Sequence, residues 1–282
     1  MKNGVLIFLL SCFLCTISCA GVQDSRLPDL INQLNGKTCK YEIENRSCVK
    51  SKPLNFLLRR NNKERCIMDA ATALGMMGDR ARPAVPALID ALKKYHNVDS
   101  GDGFITVRSE IALALGKIGD TSAIKPLSDI LASNDPAVLS ESASVRSDYK
   151  LTERTSHAAV AEALGMFGSL SKEGVKYIIP LLKYPSGSDY AGGKYYIQCA
   201  QKSAAKALGQ IKSKEAFPAL IDALDDRNCR IDSLNALGSF GADAKEIVPV
   251  LNKWLEKNRQ SLKQYELSVA EEVIKKLANK QI

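Results

Sequence analysis

Residues 70–92 read Ala70-Ala-Thr-Ala-Leu-Gly-Met-Met-Gly-Asp-Arg-Ala-Arg-Pro-Ala-Val-Pro-Ala-Leu-Ile-Asp-Ala-Leu92. The alanine-rich start predicts a helix with a small-residue face, since alanine has the highest helix propensity. Gly75 is expected in the left-handed conformation that closes that helix. Pro86 suits the first turn of a second helix, where its missing N–H would have no partner anyway. Leu88, Ile89 and Leu92 then form an apolar stripe at helical spacing. The stretch is therefore a helical hairpin, and neither helix can bury its apolar face alone.

The same signal recurs. Ala-Leu-Gly occurs five times, ending at Gly75, Gly116, Gly165, Gly209 and Gly238, and each copy is followed by a proline: Pro86, Pro126, Pro180, Pro218 and Pro249. Pro28-Asp-Leu-Ile-Asn-Gln-Leu34 and Pro218-Ala-Leu-Ile-Asp-Ala-Leu224 are near copies of the second helix of the quoted hairpin. Hairpins repeated along a chain stack into a solenoid. The sequence predicts an all-α, right-handed α-solenoid of about five to six hairpins. The leucine before each glycine (Leu74, Leu115, Leu164, Leu208, Leu237) belongs in its core.

Ala73-Leu-Gly-Met-Met-Gly-Asp79 and Ala114-Leu-Gly-Lys-Ile-Gly-Asp120, each followed by a proline that opens an apolar run, resemble the HEAT repeat in the variety named after phycobilisome lyases. Ala163-Leu-Gly-Met-Phe-Gly168 and Ala236-Leu-Gly-Ser-Phe-Gly241 lack the Asp, and Ala207-Leu-Gly-Gln-Ile-Lys-Ser213 lacks the second glycine. The resemblance covers residues 26 to about 280. It implies the solenoid fold and leaves the chemistry open, because such repeats serve lyases, hydroxylases and plain binding proteins.

Successive prolines lie 58, 40, 54, 38 and 31 residues apart, and the last spacing is about one bare repeat. The excess falls after a second helix and before the next first helix, at about 35–61, 95–107, 133–153 and 184–196. Insertions at one junction line one edge of a solenoid. Pieces such as Thr38-Cys-Lys-Tyr-Glu-Ile-Glu44 and Asp102-Gly-Phe-Ile-Thr-Val107 look strand-like, so short loops or hairpins are expected there. Tyrosine among Ser, Gly and Asp is a recognition composition. Phe104, Tyr149, Tyr190, Tyr195 and Tyr196 are the candidate partner-binding residues. The competing reading is that these rings pack the loops onto the helix ends.

Lys2, the apolar run Gly4 to Ser18 and the small residues around Cys19-Ala20 read as an export signal over residues 1–19, with the solenoid from 20 to 282. Cys19 is the candidate acylated residue of a lipoprotein, with ordinary cleavage after a small-x-small site as the other route. Localisation follows: the bacterial cell envelope, periplasmic or lipid-anchored, alternatively secreted. Disulfides persist in such compartments. Cys39 and Cys48 flank a polar turn and suit a bridged hairpin, and Cys199 and Cys229 stand at nearly matching places in consecutive repeats, where they could bridge.

The chain has 282 residues, a net charge of +8 and two histidines. Outside the export signal, which holds Cys12 and Cys15, no C-x-x-C pair is present, so no metal site and no cofactor are expected. His157 reads as a surface or packing residue. Ser-x-x-Lys recurs along the chain, as at Ser122/Lys125, Ser147/Lys150 and Ser203/Lys206, without companion motifs, so no catalytic residue is assigned. Export argues against nucleic acid as the partner of the basic stretch 36–65, which leaves an anionic envelope surface or a solvated face. The function read from the sequence is a non-enzymatic interaction or assembly module with a protein partner and a lipid anchor at the membrane. The alternative is a lyase- or chaperone-type protein handling a prosthetic group, with Asp148 or Asp189 in a pocket.

Overall fold

The computed structural model describes residues 26–37, 62–95, 107–133, 147–183 and 193–278. All of the regular structure among them is helical. The first helices of the hairpins are α2 (Asn62–Met77), α4 (Val107–Ile118), α6 (Ser147–Met166), α8 (Gly193–Ile211) and α10 (Arg230–Ser239). The second helices are α1 (Leu27–Leu34), α3 (Val85–Lys94), α5 (Ile124–Ala132), α7 (Val175–Ile178), α9 (Phe217–Asp222) and α11 (Val248–Asn258). A last helix, α12 (Gln264–Ala278), packs on α10 and α11 and closes the array. The first helices stack in chain order as one layer and the second helices form the other.

The five leucines before the glycines are fully buried between the layers. They meet the stripes of the second helices, among them Leu88 and Leu92, Leu127 and Leu131, and Leu220 and Leu224. Burying a leucine side chain contributes roughly 1.5–3 kcal/mol, so this one line of residues is a large part of the stabilisation.

The glycines divide the work differently from the expectation above. Gly75 lies inside α2, and a β-carbon built there would stand 3.0 Å from the Ala114 Cα. At Gly116, Gly165 and Gly209 it would stand 2.9 Å from the Cα of Ala163, Ala207 and Ala236, each the alanine of the next Ala-Leu-Gly. The first glycine therefore lets neighbouring first helices touch backbone to backbone. The left-handed residue comes three positions later: Gly78, Gly119, Gly168 and Gly241 have φ of 60°, 73°, 55° and 58°. Lys212 holds that place in the fourth hairpin at φ 56°.

The prolines also need one correction. Pro28, Pro86, Pro218 and Pro249 open their helices as expected. Pro180 does not: α7 begins at Val175, and the chain passes into a 3-10 segment, Ile179–Lys183, where the proline sits. Proline in a helix interior removes an i to i−4 hydrogen bond, which is why this second helix is short.

Helix takes over part of two expected insertions, because α6 starts at Ser147 and α8 at Gly193. Tyr149, Tyr195 and Tyr196 thus belong to helical first turns rather than loops. Tyr95 is buried against the core as a packing residue. The strand-like pieces, Phe104, Tyr190, Asp189, Cys19 and the Cys39–Cys48 bridge lie outside the described residues. A Cys199–Cys229 bridge is ruled out. Cys229 is a free, fully buried thiol, 3.3 Å from the Ser233 hydroxyl, and burial pushes it up to about 11. Cys66 is in a disulfide that the sequence did not suggest.

Candidate functional site

An open depression of about 680 Å³ crosses the layer of first helices from α6 to α12. Its floor is small: Gly209 and Ala236, where α8 and α10 touch. Ser239 ties that contact by donating to the Gly209 carbonyl at 2.7 Å. Long polar side chains rise around the floor because these positions sit on the outer face of each helix, one turn apart. From α8 come Lys202, Ser203, Lys206 and Gln210, with Lys212 just beyond its end. Glu162 comes from α6, Asp232 and Asn235 from α10, and Lys276 from α12.

The charges are unequal, four lysines against two carboxylates. Lys206 pairs with Glu162 at 2.9 Å across the α6–α8 contact. Such a part-exposed pair contributes about 1 kcal/mol or less, so it orients side chains more than it holds the helices. Asp232 is half-buried, which raises its carboxyl above its ordinary value, and the Lys202 ammonium offsets part of that rise. Among the described residues, Lys202, Lys212 and Lys276 form no ion pair. Gln210 and Asn235 each offer a donor and an acceptor, the pair of groups that matches a peptide bond.

A second polar feature runs inside the solenoid. Arg108, His157, Gln201 and Arg230 all stand eight residues before an Ala-Leu-Gly glycine, where the first copy has the apolar Ile67, and all are buried. Gln201 donates to the Leu182 carbonyl at 3.2 Å and to Asp226 at 2.8 Å. Arg230 donates to the Leu224 carbonyl at 2.7 Å and to Glu266 at 3.0 Å. Gln201 and Arg230 thus supply donors to carbonyls of the 3-10 segments Ile179–Lys183 and Ala223–Asp225 that end α7 and α9, where terminal carbonyls lack a partner within the helix. Burial pushes Glu266 up, but the hydrogen bonds from the Lys263 N–H and Arg230 outweigh it and hold the carboxyl below its ordinary value. His157, read from sequence as a surface or packing residue, is buried. Burial, and then the charge of Arg108, lower it to about 4.

Two family models match the chain. That for HEAT repeats matches residues 68–147, and that for the PBS lyase HEAT-like repeat matches residues 200–226. Residues 68–147 are thus similar to HEAT repeats and residues 200–226 to a HEAT-like repeat. A comparison with curated proteins finds no match.

The depression differs from both sites that the sequence suggested. No tyrosine lines it, and it lies on the helical face rather than the insertion edge. Tyr149, Tyr195 and Tyr196 sit at the opposite end of α6 and α8 from Gln210 and Lys212. Asp148, the runner-up acid, is in the first turn of α6, also away from it. Sequence reasoning missed Lys202, Lys206, Lys212 and Lys276. The spacing of Lys202 and Lys206 by four residues was available, as was a lysine where the other repeats carry glycine. Lys276 was not, because its place beside α10 depends on how α12 packs. Among the described residues, no group of three or more His, Cys, Asp or Glu side chains is placed to hold a metal ion, and no helix is long and apolar enough to cross a membrane.

Proposed function

We propose that this HEAT-repeat solenoid is a non-enzymatic interaction module whose working surface is the depression on α6, α8, α10 and α12. The observation that supports this reading is its architecture: four neighbouring helices of one layer contribute polar side chains around a floor of small residues. A flat helical layer with close backbone contacts gives a partner chain something to lie on, and the donors and acceptors at its rim give it something to pair with. The leader reading of residues 1–19 and Cys19 places the module in the cell envelope, held to the membrane by lipid. The insertion edge, with Tyr149, Tyr190, Tyr195 and Tyr196, is then a second contact surface.

Purification from membranes with two variants tests this. Lys206→Glu with Gln210→Glu should lose most of the captured partner, while replacing Tyr190, Tyr195 and Tyr196 together by serine should lose less. The reverse order of effects would move the working surface to the insertion edge.

One observation favours a second reading. The PBS lyase HEAT-like match at 200–226 spans Lys202 to Lys212, so the depression is also the candidate place for handling a prosthetic group. Its openness to water argues against that use. A chromophore co-purifying with the native protein, and lost on Lys206→Glu, would favour it.

A further inference from the structure

Lys212 is the one described non-glycine residue with positive φ, at 56°. Four other hairpins fill the equivalent place with glycine: Gly78, Gly119, Gly168 and Gly241. An L-residue with a β-carbon is disfavoured there and glycine is not. The fold alone therefore gives no reason for lysine. The depression gives one, because Lys212 stands on its rim. Strained backbone retained beside a binding surface points to function.

From this we infer that the depression binds an extended acidic segment of a protein partner, with the Lys202, Lys212 and Lys276 ammonium groups facing its carboxylates. The inference rests on the depression being the docking surface proposed above. Charge complementarity carries it. Lys206 is already paired with Glu162, and Lys202 offsets the half-buried Asp232 only in part. Lys212 and Lys276 have no acidic partner among the described residues. An acidic segment supplies what they lack. The form of the segment follows from the span. Four stacked helices at roughly 8–10 Å spacing cover about 24–30 Å, and an extended chain rises about 3.3 Å per residue, so about seven to nine residues cross it. Asn235 and Gln210 then meet main-chain amides between the lysines.

The probe is a fluorescein-labelled ten-residue peptide of alternating Glu and Ser, followed by fluorescence anisotropy against the full-length protein. Lys-Ser and Gly-Ser peptides of equal length, and a polyphosphate of similar charge, serve as comparisons. The Glu-Ser peptide should bind, and raising the salt should weaken it, because exposed charges are screened. Lys202→Glu with Lys276→Glu should weaken it about tenfold. Lys253→Glu with Lys257→Glu on α11 should not change it. Lys212→Gly carries the sharpest outcome: the melting temperature should rise by about 2 °C as the strain is relieved, while peptide affinity falls. A lower melting temperature, or unchanged affinity, overturns the inference.

Equal loss with the α11 pair also overturns it, since the attraction would then be general. Tighter binding of polyphosphate would reassign the depression to polyanions. If the Lys-Ser or Gly-Ser peptide binds instead and Gln210→Glu abolishes that binding, the docking surface stands and only its acidic specificity falls. If no peptide binds and Lys206→Glu with Gln210→Glu leaves partner capture intact, both fall.

Discussion

Replacing Gly116 by alanine separates the two roles a glycine can play near the end of a helix. The new β-carbon would lie 2.9 Å from the Ala163 Cα, 2.9 Å from the Met166 Sδ and 3.1 Å from the Ala163 Cβ. Ordinary contact begins at 3.4 Å. The methionine sulfur is the end of a flexible chain and moves aside. The Ala163 Cα is backbone of α6, and restoring ordinary contact requires α4 and α6 to part by about half an ångström. Overpacking of this kind costs about 1–3 kcal/mol. Against it stands the propensity gain of alanine over glycine in a helix, about 1 kcal/mol. The net expectation is a loss of about 1 kcal/mol. Urea denaturation followed by circular dichroism should show a lower midpoint, and adding Met166→Ala should restore only a small part of it. A raised midpoint would refute the reasoning, because it would mean the first layer has room for a side chain at this contact.

Three further outcomes can be checked independently. The buried His157 should make stability depend on pH: its pKa lies near 4 in the fold and 6.5 in the unfolded chain, so the unfolded state takes up the proton first. Stability is then fully present above pH 6.5 and falls by up to about 3 kcal/mol as pH drops toward 4. His157→Gln, the residue its neighbour repeat uses at Gln201, should flatten urea midpoints across that window, and an unchanged slope would contradict the burial argument. Leu208→Ala, at a fully buried position, should cost about 2–5 kcal/mol by urea denaturation; a cost below 1 kcal/mol would contradict the register. Mass spectrometry after non-reducing digestion should recover Cys66 in a cross-linked peptide and Cys229 as a free thiol, and the same digest decides whether Cys39 and Cys48 are joined.

Periodicity carried the architecture because each repeat is stabilised by the same few contacts. The Ala-Leu-Gly leucines and the Pro-x-Leu stripes are local signals, and the solenoid turns local signals directly into fold. The role of the first glycine was misread because a glycine near a helix end looks alike whether it frees φ or makes room for a neighbour. Only the position of Ala114, Ala163, Ala207 and Ala236 opposite it distinguishes the two. Pro180 was aligned with the other prolines because it opens an apolar run, yet Val175 is the residue that matches Val85 and Val248 at the helix start. The depression was illegible for a different reason. Its lysines come from α8, its far edge and α12, and their meeting is a property of stacking. The clue that did lie in the sequence was Lys212, recorded as a missing glycine and not recognised as an added cation.

The account stands most directly on where a partner touches the solenoid. A photo-cross-linking residue placed at Asn235, in the lining of the depression, should form an adduct with the partner in intact cells, and one placed at Asn252 on α11 should form none. Asn252 is exposed and lies on the second-helix layer, so accessibility alone does not separate the two positions. Adducts from Asn252, or from the Tyr195 position alone with none from Asn235, would contradict the claim that the first-helix depression is the working surface.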